Sequence, residues 1–463
     1  MKNILTPNNR ILLLVLLLFF NLSCEDYLET DQPIGETAWE NVFESESLAT
    51  AAVNNLYAQL RDEVLVSGNF NGMGITMGLY ADELDYYSYP GNPLESFYLH
   101  NITAGNNLVR SIWNTAYSLV YMSNSIIEGL SRSQSLDPSV RDQLTGEALF
   151  VRALCHFYLV NLYGDIPYIT QTDYHNNQDV FKEDKAVVYQ KLTEDLVLAK
   201  SYLTDAYPGA ERIRANRLSV SAFLARVYLY NEQWEEAKAQ AGEVIGYQSL
   251  YTLEQDLSEE FLKNSSSAIL QLKPATEGQN TLEGAIMNFS YGPPFNVSLT
   301  SGLYNSMSDA DLRKEFWITP VTDGDYTWYA CSKYKETGNT GATLEYSILL
   351  RLSEQYLIRA EAHAQSGNLA AAAQDVNTIR QRAGLPEIFP ATTQEMMDAI
   401  LNERRWELFA EQGHRWFDLK RTGKANDVLS LIKPGWRPTD LVLPIPENEI
   451  AANPNLLPQN PGY

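Results

Sequence analysis

The sequence predicts an α-helical body of stacked helix pairs whose long irregular loops form the functional face. Apolar residues recur at helical spacing along most of the chain. Two later segments repeat one alanine-centred pattern, and between about 264 and 345 the helical period fades into Ser, Gly, Asn, Pro and aromatic residues. A length of 463 residues suits about three ordinary domains or one large repeat-built unit. With 45% hydrophobic and 20% charged residues, wholesale disorder is excluded, as is a membrane protein of repeated apolar spans. Lys and Arg number 34 against 58 for Asp and Glu, a formal charge of −24. Nucleic acid is therefore the wrong partner class, because affinity for a phosphate backbone comes largely from basic side chains displacing counterions.

At the amino terminus, Lys2 and Arg10 precede an apolar run from Ile11 to Phe20, then Asn21-Leu22-Ser23-Cys24 and the acids Glu25 and Asp26. A positive flank, a short apolar core and a small residue before the cut describe a secretory signal, and the run is too short to span a bilayer. With Cys24 directly after the cleavage point, residues 1–23 resemble a bacterial lipoprotein signal peptide, in which the new terminal cysteine is acylated. The alternative is an ordinary cleaved signal or a structural cysteine. Removing 1–23 takes away two cations and no acid, so attachment to a membrane surface must come from lipid rather than from a basic patch. Residues 24–36 are polar and proline-containing, a tether between lipid and body. Only Cys155 and Cys331 remain beyond it, so no disulfide framework is indicated.

The body, 37–463, then reads in order. Leu48, Ala52, Leu56 and Leu60 begin a helical period, and Trp113, Tyr117, Val120, Ile126, Ile127 and Leu130 continue it. Thr145 to Tyr163 is apolar nearly all round, as a fully buried helix must be, with Gly164 and Pro167 ending it. His156 shares a stripe with Leu149, Ala153 and Val160 and reads as a hydrogen-bonded core histidine. A further helix is expected over 186–203. Ala225, Trp234 and Ala237 in one segment have the same offsets as Ala360, Leu369 and Ala372 in another. Each reads as two helices joined by a tight turn, resembling the tetratricopeptide unit, in which small alanines let paired helices approach. Units of this kind are expected over about 113–246 and 352–386, closed by Gly384 and Pro386. A charged helix is expected over 400–421, with ion pairs along it or to the neighbouring repeat. Prolines 444, 446, 454, 458 and 461 force the closing segment to run extended along the body.

Aromatic residues gather in two places: Tyr86, Tyr87, Tyr89, Phe97 and Tyr98 beside Pro90, Gly91 and Pro93; and Phe289, Tyr291, Phe295, Tyr304, Phe316, Trp317, Tyr326, Trp328 and Tyr329 in the irregular stretch. A disordered segment is poor in aromatics, so this stretch is an ordered functional one. Catalytic signatures are missing: there is no Gly-x-Ser-x-Gly elbow, no phosphate-cradling loop and no dinucleotide fingerprint. The five histidines lack ligand spacing, and neither Asp309-Ala310-Asp311 nor Asp323-Gly324-Asp325 completes a calcium loop, so no metal or cofactor is expected. Asp82, Glu83 and Asp85 supply the acid pairs a glycosidase needs, but with 58 acids close pairs are inevitable.

Three segments together carry a more specific likeness. RALCHFYLVNLYGDIPYIT from Arg152, ILNERRWELFAEQGHRWFDLKRTG from Ile400 and LVLPIPENEIAANPNLLPQNPGY to Tyr463 resemble the SusD/RagB family of Bacteroidetes outer-membrane lipoproteins. The order of lipoprotein signal, buried helix, helix pairs, arginine-rich helix and Pro-Asn-Pro tail matches as well. Membership implies an outward-facing, lipid-anchored, non-catalytic nutrient-binding subunit of the cell outer membrane. It pairs with a SusC-like TonB-dependent transporter, and its ligands are mostly glycans, in some members peptides.

Aromatic side chains suit such a ligand. A sugar ring offers an apolar C–H face to a flat ring and a rim of hydroxyls to polar groups, and burying an aromatic fixes few torsions. The ligand-binding residues expected are Tyr87, Tyr89, Phe97, Tyr98, Tyr291, Phe295, Trp328 and Tyr329, with Cys24 lipidated. The competing readings are a peptide binder of the same fold, a glycoside hydrolase and a periplasmic repeat scaffold.

Overall fold

A computed structural model describes residues 41–463. The signal segment, Cys24 and the 24–36 tether lie outside the described residues. Among the described residues no helix is long and apolar enough to cross a membrane.

The body is a chain of antiparallel helices, each packed on its neighbours. The Asn107–Arg132 helix starts at Asn106, whose side chain accepts from the backbone N–H groups of Leu108 and Val109 at 2.8 and 3.2 Å. It packs on the Pro138–Tyr163 helix, which in turn packs on Lys185–Tyr202. In the middle helix every residue from Gly146 to Tyr163 is buried, as its all-round apolar pattern requires. Its charged members and His156 find partners. The Arg152 guanidinium forks onto Asp195 at 2.7 and 2.6 Å and reaches Asn124 at 2.8 Å. His156 donates through Nδ1 to the Arg152 carbonyl while Nε2 accepts from the Ile169 N–H, and burial lowers its pKa to about 3, so it is a neutral core histidine. Gly164 ends the helix as expected, at φ +80°, ψ −126°.

Both sequence-related pairs form as expected. Arg217–Tyr230 turns into Trp234–Gly246, and Leu352–Gln365 turns into Leu369–Arg382. Ala225, Ala237, Ala360 and Ala372 are all fully buried at the seams, where a larger side chain would hold the helices apart. Trp234–Gly246 also packs directly on Leu352–Gln365. The two units are thus neighbours in space, and the chain between them is an excursion from the stack. Its neck is a two-stranded antiparallel ribbon of β2 (Ala268–Leu272) and β6 (Ser347–Arg351), buried throughout.

Within that excursion the structure departs from the irregular chain expected over 264–345. A four-stranded sheet forms in the order β1-β3-β5-β4, from β1 (Leu84–Tyr86), β3 (Val297–Leu299), β4 (Ile318–Asp323) and β5 (Tyr326–Cys331), flanked by short helices. The β4–β5 hairpin turns at Gly324, φ +60°, and Asp323-Gly324 ahead of an alternating aromatic run is a hairpin signature that composition alone obscures. Cys331 therefore lies on a strand, and both cysteines are buried and free.

Two smaller expectations need correction. In the helix Glu46–Asp62 the buried stripe is Ala49, Val53, Leu56 and Leu60, and Leu48 is exposed. The charged 400–421 segment is two helices, Thr393–Leu408 and His414–Arg421, separated by a bend with positive φ at Ala410, Gln412 and Gly413. Lys333 stabilises the break by donating to the carbonyls of Glu407 and Phe409 at 2.8 and 2.9 Å, groups a continuing helix would have used. The segment's charges pair with the neighbouring helix pair as expected, and the pairs are buried. Glu407 receives Arg313, Arg351 and Arg382, Glu403 receives Arg313 and Arg380, and Glu260 receives Arg351 and Arg382. This network joins the second helix pair, the excursion and the Thr393–Leu408 helix.

The closing segment runs along the body as its prolines dictate, apart from a short helix, Glu447–Ala452, and a 3-10 turn, Pro454–Leu456. Asn460 donates to the carbonyls of Tyr163 and Leu443, both at 2.7 Å, and Asn453 donates to that of Val180 at 2.8 Å.

Candidate functional site

The sheet unites the two aromatic groups that the sequence keeps apart. Asp85 stands opposite Ser298 and Tyr86 opposite Val297, and the ladder continues with the Tyr87 N–H donating to the Asn296 carbonyl at 2.8 Å. Leu299 in turn pairs with Tyr329 on β5. Residues 84–87 thereby lie beside 296–299 and 326–331.

Strand alternation then sorts the side chains. Asp85, Tyr87 and Trp328 fall on one face of the sheet. Burial, with Asp85 beside it, raises the Tyr87 phenol, and the Trp328 side chain acts in the opposite sense, which places the two aromatics side by side. Tyr326, also on this face, is 71% exposed and stacks on Trp328 with ring centroids 6.0 Å apart. The 289–296 loop crosses the same face. A Cβ at Gly292 would fall 2.2 Å from the Trp328 ring, so only glycine lets the backbone lie flat against the indole. Beyond it, Tyr291 and Phe295 meet edge to face at 5.8 Å, and Phe295 is 73% exposed. They border an open hollow of about 450 Å³ whose polar wall includes Asn288, Asn296 and Thr337.

Tyr89 is exposed on the next turn, its carbonyl accepting from the Tyr86 hydroxyl at 2.7 Å. Tyr98 sits half-buried at the rim. Its hydroxyl donates to Asp85 at 3.2 Å and the Lys433 ammonium lies 4.0 Å from its ring centroid, so that face is already occupied. Burial and Asp85 push the Tyr98 phenol up to about 12.

Two of the expected side chains are elsewhere. Phe97 is completely buried, edge-on to Tyr80 in the core, because its helix, Pro93–Leu99, turns that side inward. Tyr329, adjacent to Trp328 on a strand, points to the opposite face of the sheet and stacks on Tyr304 at 4.1 Å, beneath the Lys314 ammonium. Trp317 is also core, its indole N–H donating to the Leu257 carbonyl. Tyr326 is the exposed ring that the eight expected residues omit, and the hairpin turn before it was the signal for its placement.

The neighbouring acids have structural partners. Arg415 grips both Asp82 oxygens at 2.7 and 3.0 Å and Arg405 adds a third contact at 2.8 Å. Burial works to raise Asp82, but these guanidinium groups outweigh it and hold it below the usual carboxylate range. Glu83, buried and next to that charge, is pushed up to about 8 and is neutral at pH 7. Asp311 is taken by Arg313 and Asp309 by Lys314. Among the described residues, no three His, Cys, Asp or Glu side chains gather as a metal site would require.

The model of the SusD family matches residues 317–463, and a second model, described as starch-binding associating with outer membrane, matches 26–229. SusD-like protein P2 of Formosa agariphila is 27% identical in an alignment covering 97% of this chain and 98% of that protein. A SusD-like protein of Bacteroides ovatus is 24% identical over 74% of this chain and 70% of its own length. Among solved structures, a laminarin-binding SusD-like protein superposes with a TM-score of 0.77 at 25% identity, over 90% of this chain and 99% of that one. A SusD-like protein from Bacteroides fragilis gives 0.78 at 21%, over 94% and 100%. Two family models at opposite ends of the chain and full-length relatives sharing its helical stack lead to one conclusion: the chain belongs to the SusD/RagB family.

Proposed function

We propose that this protein is a non-catalytic, lipid-anchored glycan-binding subunit of the outer membrane. It captures oligo- or polysaccharide on the aromatic face of its sheet and hands it to a partner TonB-dependent transporter. The carrying observation is that strand pairing brings Tyr87, Tyr326 and Trp328, from distant parts of the chain, onto one face of the sheet, while the loop crossing that face sets Tyr291 and Phe295 at an open, polar-rimmed hollow. Exposed rings on a rigid sheet cover the C–H faces of sugars without ordering cost, while Asn288, Asn296 and Asp85 supply groups for hydroxyls. Family membership, the description of the matched model and the laminarin-binding neighbour support a saccharide ligand. Cys24 after its signal supports the anchor, and the formal charge of −24 supports lipid rather than a basic patch as the means of attachment. The saturated ion pairs of Asp82 support a structural role for the acids beside the face.

The test is titration of a glycan panel that includes laminarin and starch, with oligopeptides in parallel. Single Tyr87→Ala, Tyr98→Ala, Tyr291→Ala and Trp328→Ala variants accompany the unmodified protein. Binding to a glycan that the Tyr291 and Trp328 variants weaken supports the reading; unaltered affinity in every variant removes the face. Product release on prolonged incubation would make the protein a hydrolase instead.

A further inference from the structure

On the aromatic face stands a carboxylate whose two oxygens are used differently. Asp85 lies on β1, on the same side of the sheet as Tyr87 and Trp328. Its Oδ1 accepts from the Tyr98 hydroxyl at 3.2 Å. Its Oδ2 has no hydrogen-bond partner among the described residues, and it is not sealed in, since the residue is only part-buried and this oxygen keeps exposed surface. Asp82, three residues earlier, differs: Arg415 and Arg405 hold both of its oxygens.

The cation beside Asp85 is turned away from the face. Lys433 is buried, donates to the Leu79 carbonyl at 2.8 Å and lies 4.0 Å from the centroid of the Tyr98 ring. Burial raises the Asp85 carboxyl, while the Tyr98 hydroxyl and the Lys433 ammonium favour its ionised form. On the same side of the sheet, Asp323 stands opposite Tyr326 in the β4–β5 ladder and is exposed. Among the described residues, those bordering the hollow bring amides and hydroxyls but no cation.

We propose that Asp85 is the specificity-determining residue of this face: its free oxygen accepts hydroxyl hydrogen bonds from an uncharged sugar, and the same carboxylate excludes glycans that carry a uronate or sulfate group there. The inference rests on the glycan-binding reading and adds to it the class of glycan. A flat ring covers the C–H face of neutral and acidic sugars alike, so stacking does not make this distinction. A part-buried carboxylate does, because an anion brought beside it sheds water without gaining a partner, and like charges side by side at an interface are costly. The other acids of this chain, with its formal charge of −24, contribute less, since charges beyond about 8 Å are largely screened in physiological salt.

The competing role for Asp85 is structural, as the counter-charge of Lys433. Titration of matched ligands separates the two: gluco-oligosaccharides prepared from laminarin and from starch, and the same chains oxidised at C6 to glucuronate, at neutral pH and physiological salt. The unmodified protein is expected to bind the neutral chains at least about tenfold more tightly than the oxidised ones. Asp85→Asn keeps the size of the side chain and an acceptor oxygen but not the charge. It is expected to weaken the neutral chains less than about fivefold and to bring the neutral-to-oxidised ratio down to about twofold. A purely structural role moves the unfolding temperature of Asp85→Asn and leaves that ratio where it was. The comparison of the two series on the unmodified protein is decisive even where the variant does not fold. If the unmodified protein binds the oxidised chains as tightly as the neutral ones, or if Asp85→Asn keeps the ratio while Trp328→Ala weakens the neutral chains, the inference is overturned and the aromatic face stands. If the unmodified protein binds neither series, the glycan-binding reading falls for glucans and this inference falls with it.

Discussion

Asp85 and Ser298 stand opposite each other in the β1–β3 ladder, and this single register places Tyr87 beside the Asn296 backbone and on the same face as Trp328. A slip of one residue would turn Tyr87 away from Trp328 and bring Tyr86 in its place, because side chains alternate across a strand. The aromatic face is therefore a property of strand pairing between segments far apart in the chain.

That pairing separates two adjacent rings by role. Trp328→Ala is expected to weaken glycan binding by about 1–3 kcal/mol, the range for losing one stacked ring. Tyr329→Ala is expected to leave affinity within about twofold and lower stability by about 1–2 kcal/mol through the lost stack on Tyr304. Calorimetric titration and urea unfolding of both variants check it. A loss of binding in Tyr329→Ala equal to that in Trp328→Ala would place Tyr329 on the ligand side.

Phe97 makes the same point from the core. It is fully buried, so Phe97→Ala is expected to cost about 3–5 kcal/mol of stability by leaving a cavity. At temperatures where the variant stays folded, its glycan affinity should match that of the unmodified protein. A folded variant that had lost binding would contradict this assignment.

Glu407 is the centre of the buried ion network. Arg313, Arg351 and Arg382 converge on it, and although burial alone would raise its pKa, these guanidinium groups hold it well below the usual carboxylate value. Glu407→Gln leaves buried guanidinium groups without their shared anion, and breaking a buried pair in this way costs about 3–5 kcal/mol. Because the folded-state pKa is depressed, the stabilisation is present above the unfolded value and is lost as pH falls through the folded one. Urea midpoints should show the deficit at neutral pH and a smaller one in acid. Equal midpoints at neutral pH would show the network to be expendable.

Glu83 has the opposite sign. Burial and the adjacent Asp82 raise it from 4.5 to about 8, so between those values the folded protein holds a proton that the unfolded chain releases. The stability this group contributes is full below the unfolded pKa and is lost as pH rises toward about 8. Glu83→Gln, isosteric with the protonated form, is expected to become progressively more favourable relative to the unmodified protein across that window, by up to about 5 kcal/mol. The difference between their unfolding free energies should rise with pH and level off above pH 8. A difference independent of pH would show Glu83 to be ionised when folded.

Much of the scaffold was legible because helix formation is local. A stripe repeating every three or four residues marks a helix wherever the chain goes, and matched alanines mark close seams, so the two units around Ala225 and Ala360 could be placed without coordinates. The 400–421 segment misled for the converse reason. Its charges predict ion pairs, but neither the break in the helix nor the depth of burial can be judged until the chains carrying Arg313, Arg351 and Arg382 are brought alongside. The break at Ala410–Gly413 is likewise stabilised by Lys333, a residue distant in sequence.

The same division applies to the candidate site. By itself the sequence determined the helical stack, the family and the abundance of aromatic residues in two regions. Only the tertiary structure decided that those regions share one sheet, that Tyr326 joins the open face, and that Phe97 and Tyr329 leave it. The physical reason is that strand partners, side-chain faces and the dryness of a carboxylate's surroundings are fixed by contacts between distant residues, which no local period records.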